Sequence, residues 1–232
     1  MRRYDFGIIG AMEPEVEKLV AALRGKRCDK VGSLTFYRGR LGRKSAVIVR
    51  CGVGKVFAAI AAEAMILKYA PRLIINTGVA GAIASGIAVG DVLVADKLVQ
   101  HDMDTSPLGD PKGLISGINK IYFETDERAR VLTRNIASDL GIKTATGTVA
   151  SGDVFVSSSD LKRTIAESFG ASACEMEGAA IAHTCFVNAT PCCVIRAISD
   201  SADEESSMSY QEFLPLAASR STAITLALVE KY

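Results

Sequence analysis

Apolar runs of strand length alternate with helical patterns along most of the chain. The run at 5–9 predicts a buried strand, and the apolar spacing over 13–23 predicts a helix. Further strands are predicted at 34–40, 45–51, 73–76, 89–99, 144–150 and 192–198, and further helices at 55–69, 126–140, 159–169, from Gly178 onward and at 209–231. This alternation predicts an α/β fold, a three-layer α/β/α sandwich with a central mixed, mostly parallel sheet.

One segment interrupts the alternation. Residues 101–119 contain three glycines, two prolines and three aspartates. Loops of that length without secondary structure are usually functional, so we expect this one to contribute to a site. Since the chain has no internal repeat and no linker-like stretch, a single domain over 1–232 is predicted.

Composition and charge narrow the class of protein and partner. Apolar residues make up 49% and charged residues 23% of the chain, as is typical of a soluble globular protein. Lys and Arg number 27 against 26 for Asp and Glu, and no basic cluster stands out, which argues against nucleic acid or an anionic membrane as partner. No apolar stretch approaches the roughly 20 residues that cross a bilayer. We therefore expect a small-molecule substrate.

The cysteines and histidines point away from disulfide and metal chemistry. The six cysteines form no CxxC pair, and several fall inside apolar runs, which is typical of free thiols in the reducing cytoplasm. The two histidines, His101 and His183, are far apart in the sequence, so a His/Cys metal site is not expected. We predict no metal and no cofactor, and neither histidine is expected to be catalytic.

The segment 173–203 concentrates charge at the ends of apolar elements. Arg196 interrupts an apolar strand, and Asp200 follows the carboxyl end of that strand, where ligands gather in parallel sheets. In a regular strand Arg196, Ile198 and Asp200 share one face. An equally good interpretation is that Asp200 caps the following turn, where Asp and Ser are favoured.

Other candidates also have two interpretations. Glu177 is expected at a helix N-terminus, where the dipole favours an ionised carboxylate able to accept hydrogen bonds from both hydroxyls of a ribose. For both Glu177 and Glu15, local pattern favours the plainer interpretation of an ordinary first-turn acid, which is the commoner case. The Gly-rich segment 78–90 allows close approach of a ligand but matches neither a dinucleotide fingerprint nor a P-loop. Phe155 follows a strand and can stack on a flat base or fill the core.

Several motifs carry a family resemblance when taken together. They are GIIGAMEPEVEKL near the start, CGVGK at 51–55, INTGVAGAIASGIAVGDVLVAD at 75–96, ASGDVFV at 150–156, CEMEGAAIAH at 174–183 and VIRAISDSAD at 194–203. The chain resembles the purine nucleoside phosphorylase and nucleosidase superfamily, and within it the nucleosidases of 5′-methylthioadenosine and S-adenosylhomocysteine. The resemblance covers nearly the whole chain and implies a homodimer that hydrolyses an N-glycosidic bond and releases adenine.

The resemblance also implies roles for individual residues. Glu15 matches the general base that activates water, and Asp200 matches the acid that protonates the leaving adenine. Glu177 matches the glutamate that binds the ribose, and Arg196 is expected near the attacking water. The other implied substrate-binding positions are Met12, Val53, Ala80, Gly81, Phe155, Val156, Met176, Ser199 and Tyr210. Since Asp200 must stay protonated near neutrality, we expect its surroundings to raise its pKa.

The sequence departs from the family pattern at a few positions. Val79 stands where many relatives carry Ser, which removes a hydroxyl associated with the catalytic acid, and Tyr210 replaces a Phe. The loop 101–119 keeps HDMD but has Leu108 and Asp110 where relatives place aromatics. In the family this region helps to form the 5′-alkylthio pocket across a dimer interface. Preference among methylthioadenosine, S-adenosylhomocysteine and 5′-deoxyadenosine is therefore open.

Three alternative functions remain open. The first is a nucleoside phosphorylase, although phosphorolysis needs cations around an oxyanion. Here Asn76 and Thr77 precede Gly78, and a carboxylate at Glu15 would repel phosphate. The others are a futalosine-type hydrolase, which would use the same cleavage machinery, and a non-catalytic nucleoside-binding protein.

Overall fold

The computed structural model describes residues 3–232, in which ten strands form one mixed sheet covered by six α-helices. The strands are β1 (Phe6–Gly10), β2 (Arg24–Val31), β3 (Leu34–Leu41), β4 (Lys44–Arg50), β5 (Leu73–Ala82), β6 (Val92–Gln100), β7 (Tyr122–Glu124), β8 (Thr144–Ser151), β9 (Ala171–Glu175) and β10 (Cys192–Asp200). The helices are α1 (Glu13–Ala21), α2 (Lys55–Tyr69), α3 (Glu127–Asp139), α4 (Ser159–Phe169), α5 (Gly178–Val187) and α6 (Ser206–Lys231).

The sheet has helices on both faces, which confirms the predicted three-layer α/β/α arrangement. Helices α2 and α5 pack on one face, and α1, α3 and α6 pack on the other. Buried strands such as β1 and β5 alternate their side chains between these two cores, so Ile9 and Ile74 face α2 while Ile8 and Ile75 face the opposite layer.

Parallel pairing brings several strand ends together. Strand β1 lies between β4 and β5 and is parallel to both, and β10 is parallel to β5. Strands β6, β8 and β9 form a second parallel group, joined to the first by antiparallel pairs of β10 with β6 and of β9 with the end of β5. Loops that follow β1, β4, β8, β9 and β10 therefore converge around the last residues of β5.

Three strands were not predicted from the sequence. Strand β2 is an exposed edge strand of mostly charged residues, so it lacks the alternation that marks a half-buried strand. Strand β7 has only three residues and pairs with β6. Strand β9 has only five residues. The predicted long loop at 101–119 is present, with one turn of 3₁₀ helix at Ser106–Leu108.

Strand β5 is six residues longer than the predicted strand, because it runs through the Gly-rich segment to Ala82. A Cβ on Gly78 would lie 2.3 Å from Arg196 Nη1, and one on Gly81 would lie 2.7 Å from Asp200 Oδ1. These glycines therefore make room for charged side chains and do not mark a loop. In the described range, 3–232, no helix is both long and apolar enough to traverse a lipid bilayer.

Candidate active site

A cavity of about 380 Å³ opens where these loops converge on β5. Its size lies in the range of small-molecule sites, roughly 300–1,000 Å³. Every predicted site residue except Arg196 lines it: Met12, Glu15, Val53, Ala80, Gly81, Phe155, Val156, Met176, Glu177, Ser199, Asp200 and Tyr210. The structure adds Ala11, Val79, Val154, Cys174 and Glu175 to the lining.

Glu15 lies in the first turn of α1, just after β1, and is only 1% exposed. Its Oε2 accepts hydrogen bonds from the backbone N–H groups of Ala11 and Met12 at 2.7 and 2.9 Å, and its Oε1 accepts one from Val79 N at 3.1 Å. Both interpretations of the sequence hold, since Glu15 caps its helix and also faces the cavity. Burial raises the pKa of Glu15 although Arg196 and these N–H donors work to lower it, which makes the carboxylate a stronger base.

Asp200 ends β10 and is 2% exposed. Its Oδ1 accepts a hydrogen bond from Ala202 N at 2.9 Å, so the predicted turn cap is present, and its Oδ2 lies 2.8 Å from Ser199 Oγ. Ser199 thus gives Asp200 a hydroxyl partner although position 79 is Val. Burial raises the pKa of Asp200, as expected for an acid that must carry a proton near neutrality.

Glu15 and Asp200 lie against the same strand. Oε1 of Glu15 would be 2.6 Å from a Cβ at Gly78, and Oδ1 of Asp200 would be 2.7 Å from one at Gly81. Three residues of strand separate the two glycines by about 10 Å. Both carboxyl groups line the same cavity.

Glu175 and Glu177 have different roles. Glu175 accepts hydrogen bonds from the backbone N–H groups of Glu177 and Gly178 at 3.0 and 2.8 Å, and it also binds Ser151 Oγ and Arg196 Nη2. It therefore caps α5, a function that the sequence analysis did not assign to it.

Glu177 is left free to face the cavity, where its Oε1 accepts a hydrogen bond from Gly54 N at 2.8 Å. Burial, together with the negative charge of Glu175, raises the pKa of Glu177 to about 7. The helix dipole favours the ionised form, but burial has the larger effect on the pKa of Glu177.

Arg196 lies behind the cavity wall. Its guanidinium is 1% exposed, binds Glu175 and Asn76, and lies 4.0 Å from Glu177 Oε2. The prediction that Arg196, Ile198 and Asp200 share one regular face is wrong, because the register of β10 shifts between Ile198 and Asp200. This irregularity lets the consecutive residues Ser199 and Asp200 both line the cavity. The expected contact of Arg196 with water stays a prediction.

Phe155 and Tyr210 form an aromatic wall on the loop side of the cavity. Their ring centroids are 5.6 Å apart at an interplanar angle of 77°, and Tyr210 Oη donates to Met12 Sδ at 3.0 Å. Burial raises the pKa of Tyr210 to about 12, so the phenol keeps its proton. Phe155 is 43% exposed and Val53 is 49% exposed. The cavity lining therefore includes two apolar side chains that solvent can reach.

The histidines and the loop 101–119 lie outside the cavity lining. His183 Nδ1 lies 3.2 Å from Gln100 Nε2 and its ring stacks on Phe123, while burial lowers the pKa of both histidines. Among residues 3–232, no group of three His, Cys, Asp or Glu side chains is arranged to hold a metal ion.

The chain is similar to known proteins over nearly its whole length. A family model described as the phosphorylase superfamily matches residues 5–230. The 5′-methylthioadenosine/S-adenosylhomocysteine nucleosidase of Actinobacillus succinogenes is 38% identical to this chain, over 96% of this chain and 97% of its own length. The aminodeoxyfutalosine nucleosidase of Helicobacter pylori is 36% identical over 97% of each. A crystal structure of the Neisseria meningitidis 5′-methylthioadenosine/S-adenosylhomocysteine nucleosidase with methylthio-immucillin-A superposes with a TM-score of 0.95 at 36% identity, covering 98% of this chain and 99% of that one.

Proposed function

The chain belongs to the phosphorylase superfamily, and from that membership and the cavity we propose that it hydrolyses 5′-methylthioadenosine and S-adenosylhomocysteine to release adenine. The observation that carries this proposal is that Glu15 and Asp200, from opposite ends of the chain, face one cavity together with Glu177 and Phe155. We propose the same cleavage for 5′-deoxyadenosine, because the carboxyl groups act on the sugar–base bond and not on the 5′ substituent.

The chemistry follows from where charge develops. Breaking an N-glycosidic bond places positive charge on the ribose and negative charge on the departing base. Glu15 takes a proton from the attacking water, and its negative charge with that of Glu177 stabilises the oxocarbenium-like sugar. Asp200 donates its proton to adenine N7. The pair acts like the two carboxyl groups of a glycosidase, an acid and a base on opposite sides of one bond.

Ser199 gives the carboxyl group of Asp200 a fixed hydrogen-bond partner. The Ser199 hydroxyl lies 2.8 Å from Asp200 Oδ2 and 3.4 Å from the carbonyl oxygen of Ala80. Ser199 Oγ donates to Asp200 Oδ2, which orients the carboxyl group, while burial has the larger effect and raises its pKa. When adenine is bound, the protonated Asp200 donates to N7.

The charge of the cavity favours water over phosphate as the nucleophile. The ionisable acidic residues among its described lining are Glu15, Glu175, Glu177 and Asp200, and no basic side chain joins them there. The nearby cation, Arg196, is buried and already paired with Glu175. Binding of a phosphate dianion needs an available cation, so phosphorolysis is disfavoured.

A second candidate substrate is aminodeoxyfutalosine. It is favoured by the 36% identity to the aminodeoxyfutalosine nucleosidase of Helicobacter pylori and by the open apolar mouth at Val53 and Phe155, which leaves space for a larger 5′ group. The same carboxyl groups would cleave it.

We also propose that the protein is a homodimer in the cytoplasm. Helix α2 carries a row of exposed apolar side chains, and two more lie on the neighbouring α5: Val56, Phe57, Ile60, Leu67, Phe186 and Val187. Such a large exposed apolar face is typical of a protein–protein interface. The exposed Val53 continues this face to the mouth of the cavity. In the described range the six cysteines are free thiols, as expected in a reducing compartment.

The proposed function is tested by adenine release from a panel of nucleosides, with and without phosphate. The panel contains 5′-methylthioadenosine, S-adenosylhomocysteine, 5′-deoxyadenosine and aminodeoxyfutalosine. We expect base release in phosphate-free buffer and a free sugar as the second product. Release that requires phosphate and yields a sugar 1-phosphate would make the protein a phosphorylase, and tight binding without turnover would make it a nucleoside-binding protein.

A further inference from the structure

Two motifs of the family resemblance, at 51–55 and 101–104, meet outside the cavity. Lys55 Nζ lies 2.5 Å from Asp102 Oδ1 and donates to Gln100 Oε1 at 3.3 Å. Asp102 Oδ2 accepts the backbone N–H of Asp153 at 2.9 Å, and Asp153 Oδ1 accepts the backbone N–H of Lys55 at 2.7 Å. Lys55, Asp102 and Asp153 thus form a closed ring of three contacts, which we call the Lys55 ring.

The Lys55 ring joins three loops, two of which carry cavity residues. Gly54 precedes Lys55 and donates its N–H to Glu177 Oε1 at 2.8 Å, with a φ of 101° that favours glycine. Asp153 precedes Val154 and Phe155 at the cavity wall. Asp102 ties both loops to the end of β6.

The charges and partial burial of the Lys55 ring hold its side chains in one arrangement. The Lys55 side chain is 17% exposed and that of Asp102 is 30% exposed, so the ion pair is partly shielded from water. Burial works to raise the pKa of Asp102, but hydrogen bonds from Lys55 and the Asp153 N–H lower it below its usual value. Asp102 is therefore ionised at neutral pH and holds both partners.

We propose that the Lys55 ring positions the Gly54 N–H that orients Glu177 toward the sugar hydroxyls, so that Lys55 and Asp102 determine selectivity for an intact ribose. This inference rests on the proposed function. Lys55, Asp102 and Asp153 lie outside the cavity lining, so they act through Gly54 and Glu177 as positioning residues. Their removal weakens recognition of the sugar hydroxyls while the carboxyl groups Glu15 and Asp200 stay in place.

The test compares 5′-methylthioadenosine with its 3′-deoxy analogue as substrates. Asp102→Asn keeps the shape of the side chain but removes the charge that holds Lys55. We expect this variant to lower kcat/KM for 5′-methylthioadenosine by about tenfold, mainly through KM, because a hydrogen bond to a charged group is weakened. For the 3′-deoxy analogue, which keeps one of the two hydroxyls that Glu177 binds, we expect a smaller loss of about threefold. The control is Asp104→Asn, two residues away, whose carboxylate pairs with Lys112 at 3.8 Å on the surface.

A second pair of variants separates positioning from folding. Lys55→Arg keeps the cation and should retain ribose selectivity within twofold, whereas Lys55→Met should match Asp102→Asn. Equal loss on both nucleosides, or unchanged selectivity in both Asp102→Asn and Lys55→Met, would overturn the proposal. If wild-type protein releases no adenine, the proposed function fails instead, and the same ratio is then measured as dissociation constants of the two nucleosides.

Discussion

At the scale of single residues, the site depends on carboxyl groups that are buried and still partly hydrogen-bonded. Glu15 and Asp200 each accept backbone N–H bonds that fix their orientation, yet burial raises the pKa of both. These backbone N–H donors hold the two carboxyl groups in a fixed orientation. A raised pKa makes the carboxylate of Glu15 a stronger base, and it keeps a proton on Asp200, the proposed acid.

The raised pKa of Glu177 predicts a pH-dependent stability. Its pKa is raised from the ordinary 4.5 to about 7 in the folded protein, so folded protein binds more protons than unfolded protein between these values. Stability therefore falls as pH rises from 4.5 to 7, by on the order of 3 kcal/mol for this group. Glu177→Gln should remove that loss, so its free energy of unfolding should exceed that of wild type increasingly up to pH 7.

This prediction is measured by urea unfolding at several pH values between 4 and 8. Glu17→Gln, at an exposed position of α1, is the matched control and should follow wild type throughout. A constant difference between Glu177→Gln and wild type at all pH values would contradict the account.

Sequence alone reached the site residues through the family resemblance and not through local pattern. Local pattern gave Asp200 and Glu15 two interpretations each, and in the structure both side chains accept local backbone hydrogen bonds and also line the cavity. The role of Glu175 was missed because its partners Ser151 and Arg196 are 24 and 21 residues away along the chain. Contacts between residues so far apart in the sequence cannot be recognised from a local sequence pattern.

At the scale of elements, strongly periodic helices were predicted well and irregular strands were not. Helices α3 and α4 have apolar residues at helical spacing and side-chain caps at Asp126 and Ser158, and their predicted bounds differ from the observed ones by at most one residue. Strand β2 was missed because a charged edge strand has no buried face to create a pattern. The predicted strand at 73–76 ended too early because the glycines that follow it suggested a loop. In the structure these glycines lie within β5 and make room for charged side chains.

The glycines of β5 predict a sharp effect on catalysis. A Cβ at Gly81 would lie 2.7 Å from Asp200 Oδ1 and 3.0 Å from Ala202 Cβ, so Gly81→Ala must displace Asp200, the proposed general acid. We expect kcat to fall by about 100-fold or more, since small displacements of a reacting group are costly. The measurement is kcat for adenine release at saturating 5′-methylthioadenosine.

Gly7→Ala in β1 is the control for this prediction. Its new Cβ would lie 2.3 Å from Met65 Sδ, the flexible end of a core side chain away from the cavity. It should lower stability by about 1–3 kcal/mol and leave kcat of the folded protein unchanged. Equal kcat for the two variants would refute the role given to Gly81.

At the scale of the whole molecule, the exposed apolar row on α2 predicts association of two copies. Ile60→Glu places a charge in the middle of that row and should convert the dimer to a monomer. Val131→Glu changes an exposed apolar residue on α3, outside the row, and should leave the dimer intact. Sedimentation or light scattering gives the mass, and a monomeric wild-type protein would contradict the prediction.

The central claim is that Asp200 protonates the leaving base while Glu15 activates water, and leaving-group dependence tests it most directly. Turnover of 5′-methylthioadenosine is compared with that of a 4-nitrophenyl 5-methylthioriboside, whose nitrophenolate leaves without a proton. Asp200→Asn should lose adenine release and keep most of its activity on the nitrophenyl substrate, whereas Glu15→Gln should lose both. If Asp200→Asn loses both activities equally, or if Glu15→Gln retains activity on the nitrophenyl substrate, the assigned roles are wrong.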